Sequence, residues 1–338
     1  MFSLILVVAL IIMAVVIAIY YYEYIASQEL LHGNSGMNPS TATTEALLQS
    51  VVVGSKPQGI AHDAHNNCLY VANSESNTVS VINGTNNSVV AEIGVGKSPV
   101  YVAFNAANNL VYVSNFASDT VSVINDSSNE VVSTIAVGTN PEGVAFNYEH
   151  HLVYVADHGS GTISVVQPNM TVEISVPAGE GPQGVIYDEK NQKMYVADTL
   201  GGAVLVLNSS YAMVGRIAVP YGPGWMLLNP SNQRLYVTNA GGGPLLPSNV
   251  TVVDTSTDDI ISTVIVGAGA EGIAYNPANQ NVYVTSYDSD YVSVIDVATN
   301  TVSSIVHVGT SPFGIAYDTD NGKLYVANEG SGTVSVIS

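Results

Sequence analysis

One short phrase recurs seven times along this chain of 338 residues. Leu69–Asn73 reads LYVAN and returns as VYVSN, VYVAD, MYVAD, LYVTN, VYVTS and LYVAN. Its tyrosines, Tyr70, Tyr112, Tyr154, Tyr195, Tyr236, Tyr283 and Tyr325, stand 42, 42, 41, 41, 47 and 42 residues apart. A second marker, a turn leading into an apolar run, keeps the same intervals through Gly59, Tyr101, Gly143, Gly184, Trp225, Gly272 and Gly314. A unit this short cannot bury an apolar face alone, so its copies must pack on one another.

Each unit reads as four short strands. In the second copy the expected strands are 100–104, 110–114, 120–124 and 131–137, rich in Val, Ile, Tyr and Thr and bounded by Gly, Asn, Asp, Ser or Pro. Several runs are apolar at nearly every position, which fits sheets covered on both faces. Seven four-stranded units of about 42 residues predict an all-β fold, a seven-bladed β-propeller. The seventh unit ends after VSVIS, its third strand, while LLQSVVV at 47–53 precedes the first unit. The expectation is that this N-terminal strand completes the last blade and closes the ring.

The LYVTN phrase at 235–239, its sibling copies and the preceding P-x-G-[IV]-A turns resemble the YVTN family of β-propeller repeats, within the YncE-like class of seven-bladed propellers. The resemblance covers about residues 47–338 and implies a propeller of archaeal cell surfaces or bacterial envelopes. Tyr101 and Trp225 depart from it at the repeat glycine, Ala270 departs at the repeat proline, and the fifth unit carries an insertion at 240–249.

Ahead of the repeats, residues 2–22 carry no charge, Pro or Gly. Such a run spans about 30 Å as a helix, the thickness of a bilayer core. Tyr20, Tyr21, Tyr22 and Tyr24 would meet the headgroups. No basic residue precedes the run, so a retained transmembrane anchor at 1–22 is preferred to a cleaved signal peptide. A flexible polar linker at 23–46 then leads to the propeller at 47–338. The expected location is a single-pass cell-membrane protein with its propeller outside the cell.

Composition narrows the partners. Lys and Arg number 7 against 27 Asp and Glu, a formal charge of −20, which excludes a nucleic-acid partner for want of clustered cations. Cys68 is the single cysteine, so neither an intrachain disulfide nor a Cys-based zinc site can form. Charged residues make up only 10% of the chain, which is read as the surface of an envelope protein exposed to acid.

Alternation of strand direction puts the fourth-to-first and second-to-third connections on one face of the ring, here the upper face. The residue after each repeat proline then marks the channel mouth: Gln58, Val100, Glu142, Gln183, Gly224, Glu271 and Phe313. With Tyr101, Tyr221 and Trp225 the mouth is aromatic and acidic, and the insertion adds Leu245 and Leu246 on the same face. Either it binds a ligand or partner, or the aromatics only plug the channel.

No catalytic residues, cofactor motif or metal site emerge. His62, His65, His150 and His151 fall on lower-face turns and are expected to be solvated. Asp318, Asp320 and Gly322 read as a hairpin turn rather than a calcium loop. Glu142 and Glu271, three blades apart, are expected to be too distant for acid–base pairing. Sequons at Asn83, Asn86, Asn125, Asn169, Asn208 and Asn249 suggest a glycosylated surface. The favoured function is binding or adhesion toward a protein or glycan at the cell surface. The alternatives are an envelope enzyme or redox-cofactor carrier, dehydrogenase- or lactonase-like, with its site at the mouth, and a structural surface-layer component.

Overall fold

The computed structural model describes residues 45–241, 243 and 246–338. The anchor expected at 1–22, the linker up to residue 44 and Leu245 lie outside the described residues.

Seven four-stranded antiparallel sheets follow one another around a ring, the seven-bladed propeller that the repeat requires. In blade 1, β2 (Pro57–Asp63) lines the channel, β3 (Cys68–Asn73) and β4 (Thr78–Asn83) follow, and β5 (Val89–Gly94) forms the rim. In blade 2 the strands are Pro99–Asn105, Leu110–Asn115, Thr120–Asn125 and Glu130–Ala136, each end within one residue of expectation. Every residue of β3 is buried, whereas in β5 only Ile93 is, so the middle strands carry the core.

The last blade is composite, as the missing strand implied. β1 (Leu47–Val52) pairs antiparallel with the final strand, Thr333–Ile337, which neighbours Leu324–Asn328 and Pro312–Tyr317. The clasp runs to the last residue: Ser338 N–H donates to the Ala46 carbonyl at 3.2 Å, and Ala46 N–H donates to Ser338 Oγ at 3.1 Å.

The repeated phrase encodes the seams between blades. Its tyrosine is buried in every blade, and several hydroxyls reach the outer turn of the following blade. Tyr70 Oη donates to Asn129 Oδ1 at 3.1 Å, Tyr195 Oη to Asp258 Oδ1 at 2.7 Å, and Tyr325 Oη to Asn87 Oδ1 at 2.7 Å. Tyr283 meets Glu45, in the segment that enters β1, so the clasp strand replaces the missing outer turn here too. Burying one tyrosine is worth at most about 5 kcal/mol, against about 1 kcal/mol net for its hydroxyl bond. Packing therefore holds the seam and the hydroxyl sets its register.

The last residue of the phrase ties a blade internally. Asn73 Nδ2 donates to Thr78 Oγ1 at 3.2 Å and to Ser80 Oγ at 2.9 Å, and Asn115 and Asn328 repeat the pattern. Asp157 keeps it with reversed polarity, accepting from Thr162 and Ser164. Gly54 packs so closely that a Cβ there would lie 2.6 Å from the Asn73 Cγ.

Loss of β1 removes several ladder bonds worth about 1 kcal/mol each, together with the buried Val51. A chain starting at residue 41 should therefore melt about 10 °C above one starting at residue 54. Scanning calorimetry of the two would show it, and equal midpoints would contradict closure by β1.

Candidate functional site

A β-bulge recurs in the innermost strand of every blade, just after the repeat proline. The register slips between Pro57 and Ile60, Pro99 and Tyr101, Pro141 and Val144, Pro182 and Val185, Pro223 and Met226, Ala270 and Ile273, and Pro312 and Ile315. Bulges bend a strand and re-aim side chains. Here all seven fall at the residue after the repeat proline position, one in each blade.

The repeat glycine after each mouth residue is a close-approach position. A Cβ on Gly143 would lie 2.5 Å from the Gln183 carbonyl of the next blade. Where the chain places Tyr101 and Trp225 instead, the next blade must stand off, and the two rings occupy the channel. They stack across it with centroids 4.7 Å apart and planes 9° apart. Phe313 meets Trp225 edge-on at 6.2 Å, and Tyr287 meets Phe313 at 6.4 Å. The cavity beside the stack holds about 60 Å³, room for about two waters and far below a typical ligand pocket. A small molecule could be held above the stack, in the mouth, and not beneath it.

Each aromatic replacement precedes a blade that carries a glutamate at its mouth. Tyr101 precedes Glu142, and Trp225 precedes Glu271. Trp225 Nε1–H donates to Glu271 Oε2 at 3.2 Å. Burial is the main cause that pushes the Glu271 carboxyl up to about 8, with the Trp225 bond opposing it and the charges of Glu142, Glu329 and Asp288 adding to it. Burial likewise pushes Glu142 up to about 7, against a hydrogen bond from Gln183. Both retain partial access to solvent in the channel while enclosed by the surrounding blades. The Glu142 charge is a lesser contributor to the rise of Glu271, and no direct contact joins the two. Carboxyls poised near neutrality in a cleft mark sites of proton transfer.

The other mouth residues surround this pair. Gln58 Nε2 donates to Glu329 Oε2 at 3.2 Å, and Gln183 Oε1 accepts from Thr199 Oγ1 at 3.0 Å. His158 Nδ1 lies 3.6 Å from Glu142 Oε1, with burial lowering its basicity. Tyr221 and Leu246 remain exposed on the upper-face loops, 42% and 45% accessible. His158, Thr199, Tyr287 and Glu329 were not anticipated. Each directly follows the repeated phrase, at the start of the second-to-third connection, so pairing that position with the residue after the proline would have found them.

Two sequence expectations change elsewhere, one at a lower-face histidine and one at a sequon. His62 is not solvated: its side chain is 5% exposed and lies against Asp318 and Asp320 of blade 7. His65 is half exposed but bonded to Asp126 at 2.6 Å, while His150 and His151 are exposed on their turn. Asn249 is buried in the strand Ser248–Asp254, its Oδ1 accepting from Asn239 Nδ2 at 2.8 Å, which leaves no room for a glycan. Asn86 and Asn169 are exposed, whereas Asn83, Asn125 and Asn208 are half-buried and cap turn N–H groups with their Oδ1 atoms.

Residues 33–218, more than half of the chain, match the family described as lactonase, 7-bladed beta-propeller. The chain belongs to this family. Among curated proteins, none matches it. Among solved structures, it resembles a chain of Kuenenia stuttgartiensis hydrazine synthase at 18% identity, covering 89% of this chain and 98% of that one, with a TM-score of 0.75. Streptogramin B lyase is similar at 12% identity, over 88% of this chain and 99% of that one, also with a TM-score of 0.75. At such identities both likenesses are of fold alone.

In this lactonase-family propeller the raised carboxyls make stability depend on pH. The native state keeps protons on Glu142 and Glu271 that the unfolded chain releases near its ordinary 4.5. Their contribution is full below pH 4.5 and is lost as pH rises through about 7 and 8. Between pH 5 and 9, wild type should lose stability relative to the Glu142→Gln, Glu271→Gln double variant. Urea midpoints across that range would test it, and parallel curves would contradict burial of the pair.

Proposed function

We propose that the channel mouth is a hydrolytic site for a small cyclic ester, with Glu142 and Glu271 as its proton-transfer groups. The observation that carries this reading is the pair of largely enclosed carboxyls at the mouth, Glu142 and Glu271, both pushed up toward neutrality by burial. Family membership supports the substrate class. One carboxylate takes a proton from water as its oxygen bonds to the ester carbonyl carbon. The ring C–O bond then breaks, the leaving oxygen takes a proton from the other, protonated carboxyl, and a hydroxy acid departs. The Tyr101–Trp225 stack forms an apolar floor for the ring, and Gln58 and Gln183 supply side-chain amides to orient it.

A second reading rests on the same stack, which fills the channel and leaves a cavity of only about 60 Å³ beside it. It makes the chain a tethered binding module of the YVTN type, anchored by residues 2–22 with its propeller outside the cell and a protein or glycan as partner.

The full chain assayed against five- and six-membered lactones, with a pH indicator for acid release, separates the two. Turnover should fall about a hundredfold in Glu271→Gln with KM little changed, the usual scale of a lost general acid or base. Trp225→Ala should raise KM more than it lowers kcat. Saturable binding of these rings without any turnover would leave the binding module as the function.

A further inference from the structure

The seam between blade 7 and blade 1 differs from the other six. At the position of His62 the other blades carry Phe104, Phe146, Tyr187, Leu228, Tyr275 and Tyr317, each packed into a seam core. Blade 1 places an imidazole there, on the lower face and away from the mouth, where blade 7 presents two aspartates. His62 Nε2 lies 3.2 Å from Asp318 Oδ1 and 3.4 Å from Asp320 Oδ2, and donor atoms of the three residues lie within 4.8 Å of one another.

Hydrogen bonding does not account for this cluster. The His62 side chain is 5% exposed and Asp318 fully buried, yet His62 Nε2 and Asp318 Oδ2 have no hydrogen-bond partner among the protein atoms. Asp318 Oδ1 accepts the N–H groups of Asp320 at 2.8 Å and Asn321 at 3.1 Å, which fixes the carboxylate and leaves Oδ2 free. A further buried acceptor without a partner, Asn67 Oδ1, comes to the same place. A Cβ on Gly84 would lie 2.3 Å from it and 2.7 Å from Asp318 Oδ2. Unpaired buried acceptors facing one another are costly, and a cation between them removes the cost. Asp320 is 44% exposed, so an ion has a way in and space for water ligands.

We propose that His62, Asp318 and Asp320 bind a divalent transition-metal ion that pins blade 7 to blade 1. One imidazole nitrogen with two carboxylate oxygens suits zinc or manganese, and the absence of a sulfur donor leaves no preference for softer ions. The backbone bonds to Asp318 act as the outer support that orients a ligand. The second cluster, Asp63, His65 and Asp126, joins blades 1 and 2 and is the natural competitor. Its histidine is half exposed and already hydrogen-bonded to Asp126, so it leaves less for an ion to satisfy.

The test is metal content and melting temperature of the full chain, stripped with EDTA and then given Zn2+, Mn2+ or Ca2+. Wild type should retain about one Zn2+ or Mn2+ per chain and melt about 5 °C higher at a hundredfold excess over Kd. His62→Phe restores the residue type of the sibling seams, so it should fold, retain no metal and show no shift. Asp320→Asn, a partly exposed change, should weaken binding at least tenfold, and it decides the question should the phenylalanine variant fail to fold. The proposal is overturned if stripped wild type takes up no metal, if Ca2+ alone binds, or if His62→Phe binds as wild type does. Metal kept in His62→Phe but lost in His65→Ala would likewise overturn it, assigning the ion to the neighbouring cluster.

Discussion

The fold depends on contact between neighbouring blades, and the buried tyrosine of each repeat is the main physical form of that contact. A four-stranded sheet of about forty residues has too little interior of its own. Its middle strands become buried only when another blade lies on each side, as the complete burial of Cys68–Asn73 illustrates. The tyrosine places a large side chain in the seam and its hydroxyl on the next blade's outer turn. Six seams join blades that are also linked by the chain. The seventh is linked too, through residues 53–56 between β1 and β2; the break in the chain lies inside blade 7, where β1 pairs with Thr333–Ile337 and the end-to-end bonds of Ala46 and Ser338 complete the sheet, while Glu45 bonds to Tyr283 and Ser304 of blade 6.

The channel shows how one local constraint yields chemistry. Innermost strands approach so closely that the repeat position tolerates only glycine in five blades. Placing Tyr101 and Trp225 in the other two forces a local opening and fills the channel with rings. At the mouth beside the stack, Trp225 donates its indole N–H to Glu271, and burial raises both Glu142 and Glu271. The two substitutions thus fill the channel next to the acids, an arrangement that accommodates both a plug and a site.

Architecture was legible in the sequence because spacing is a one-dimensional signal and seven copies repeat it. Strand limits in blade 2 and the composite last blade followed directly from that register. The mouth was legible only in part. The residue after the proline could be named from topology, but the bulge at that position leaves no mark in composition. The stack of Tyr101 on Trp225 joins residues more than a hundred positions apart, so each could be flagged only as a departure. The burial of His62 was hidden for a similar reason: its partners lie some 250 residues away, across the seam between blade 7 and blade 1. Asn249 matched a sequon, yet its place within a strand, opposite Asn239, makes it a core group.

The asparagine-rich turns and the scarcity of ions have a common explanation in backbone geometry. Residues such as Asn67, Asn77, Asn109 and Asn129 adopt positive φ at equivalent turn positions, a conformation that asparagine tolerates better than most side chains. Asparagine is thus favoured at these positions by the turns themselves, while the sequon residues Asn83, Asn125 and Asn208 serve the turns differently, accepting turn N–H groups at Oδ1. Stability then rests on apolar seams and neutral hydrogen bonds; among the described residues the single ion pair that does not involve histidine is Lys193–Asp258 at 2.7 Å. Burial raises Asp63, Glu142, Asp157 and Glu271 alike, with Asp157 pushed up to about 6. For each of these groups, native protons are retained to higher pH than in the unfolded chain, so acidification favours the fold. Among the described carboxyls with a shift, only the exposed Asp254 moves the other way. The contribution of these four carboxyls to stability therefore grows as pH falls, the opposite of what paired surface carboxylates would give.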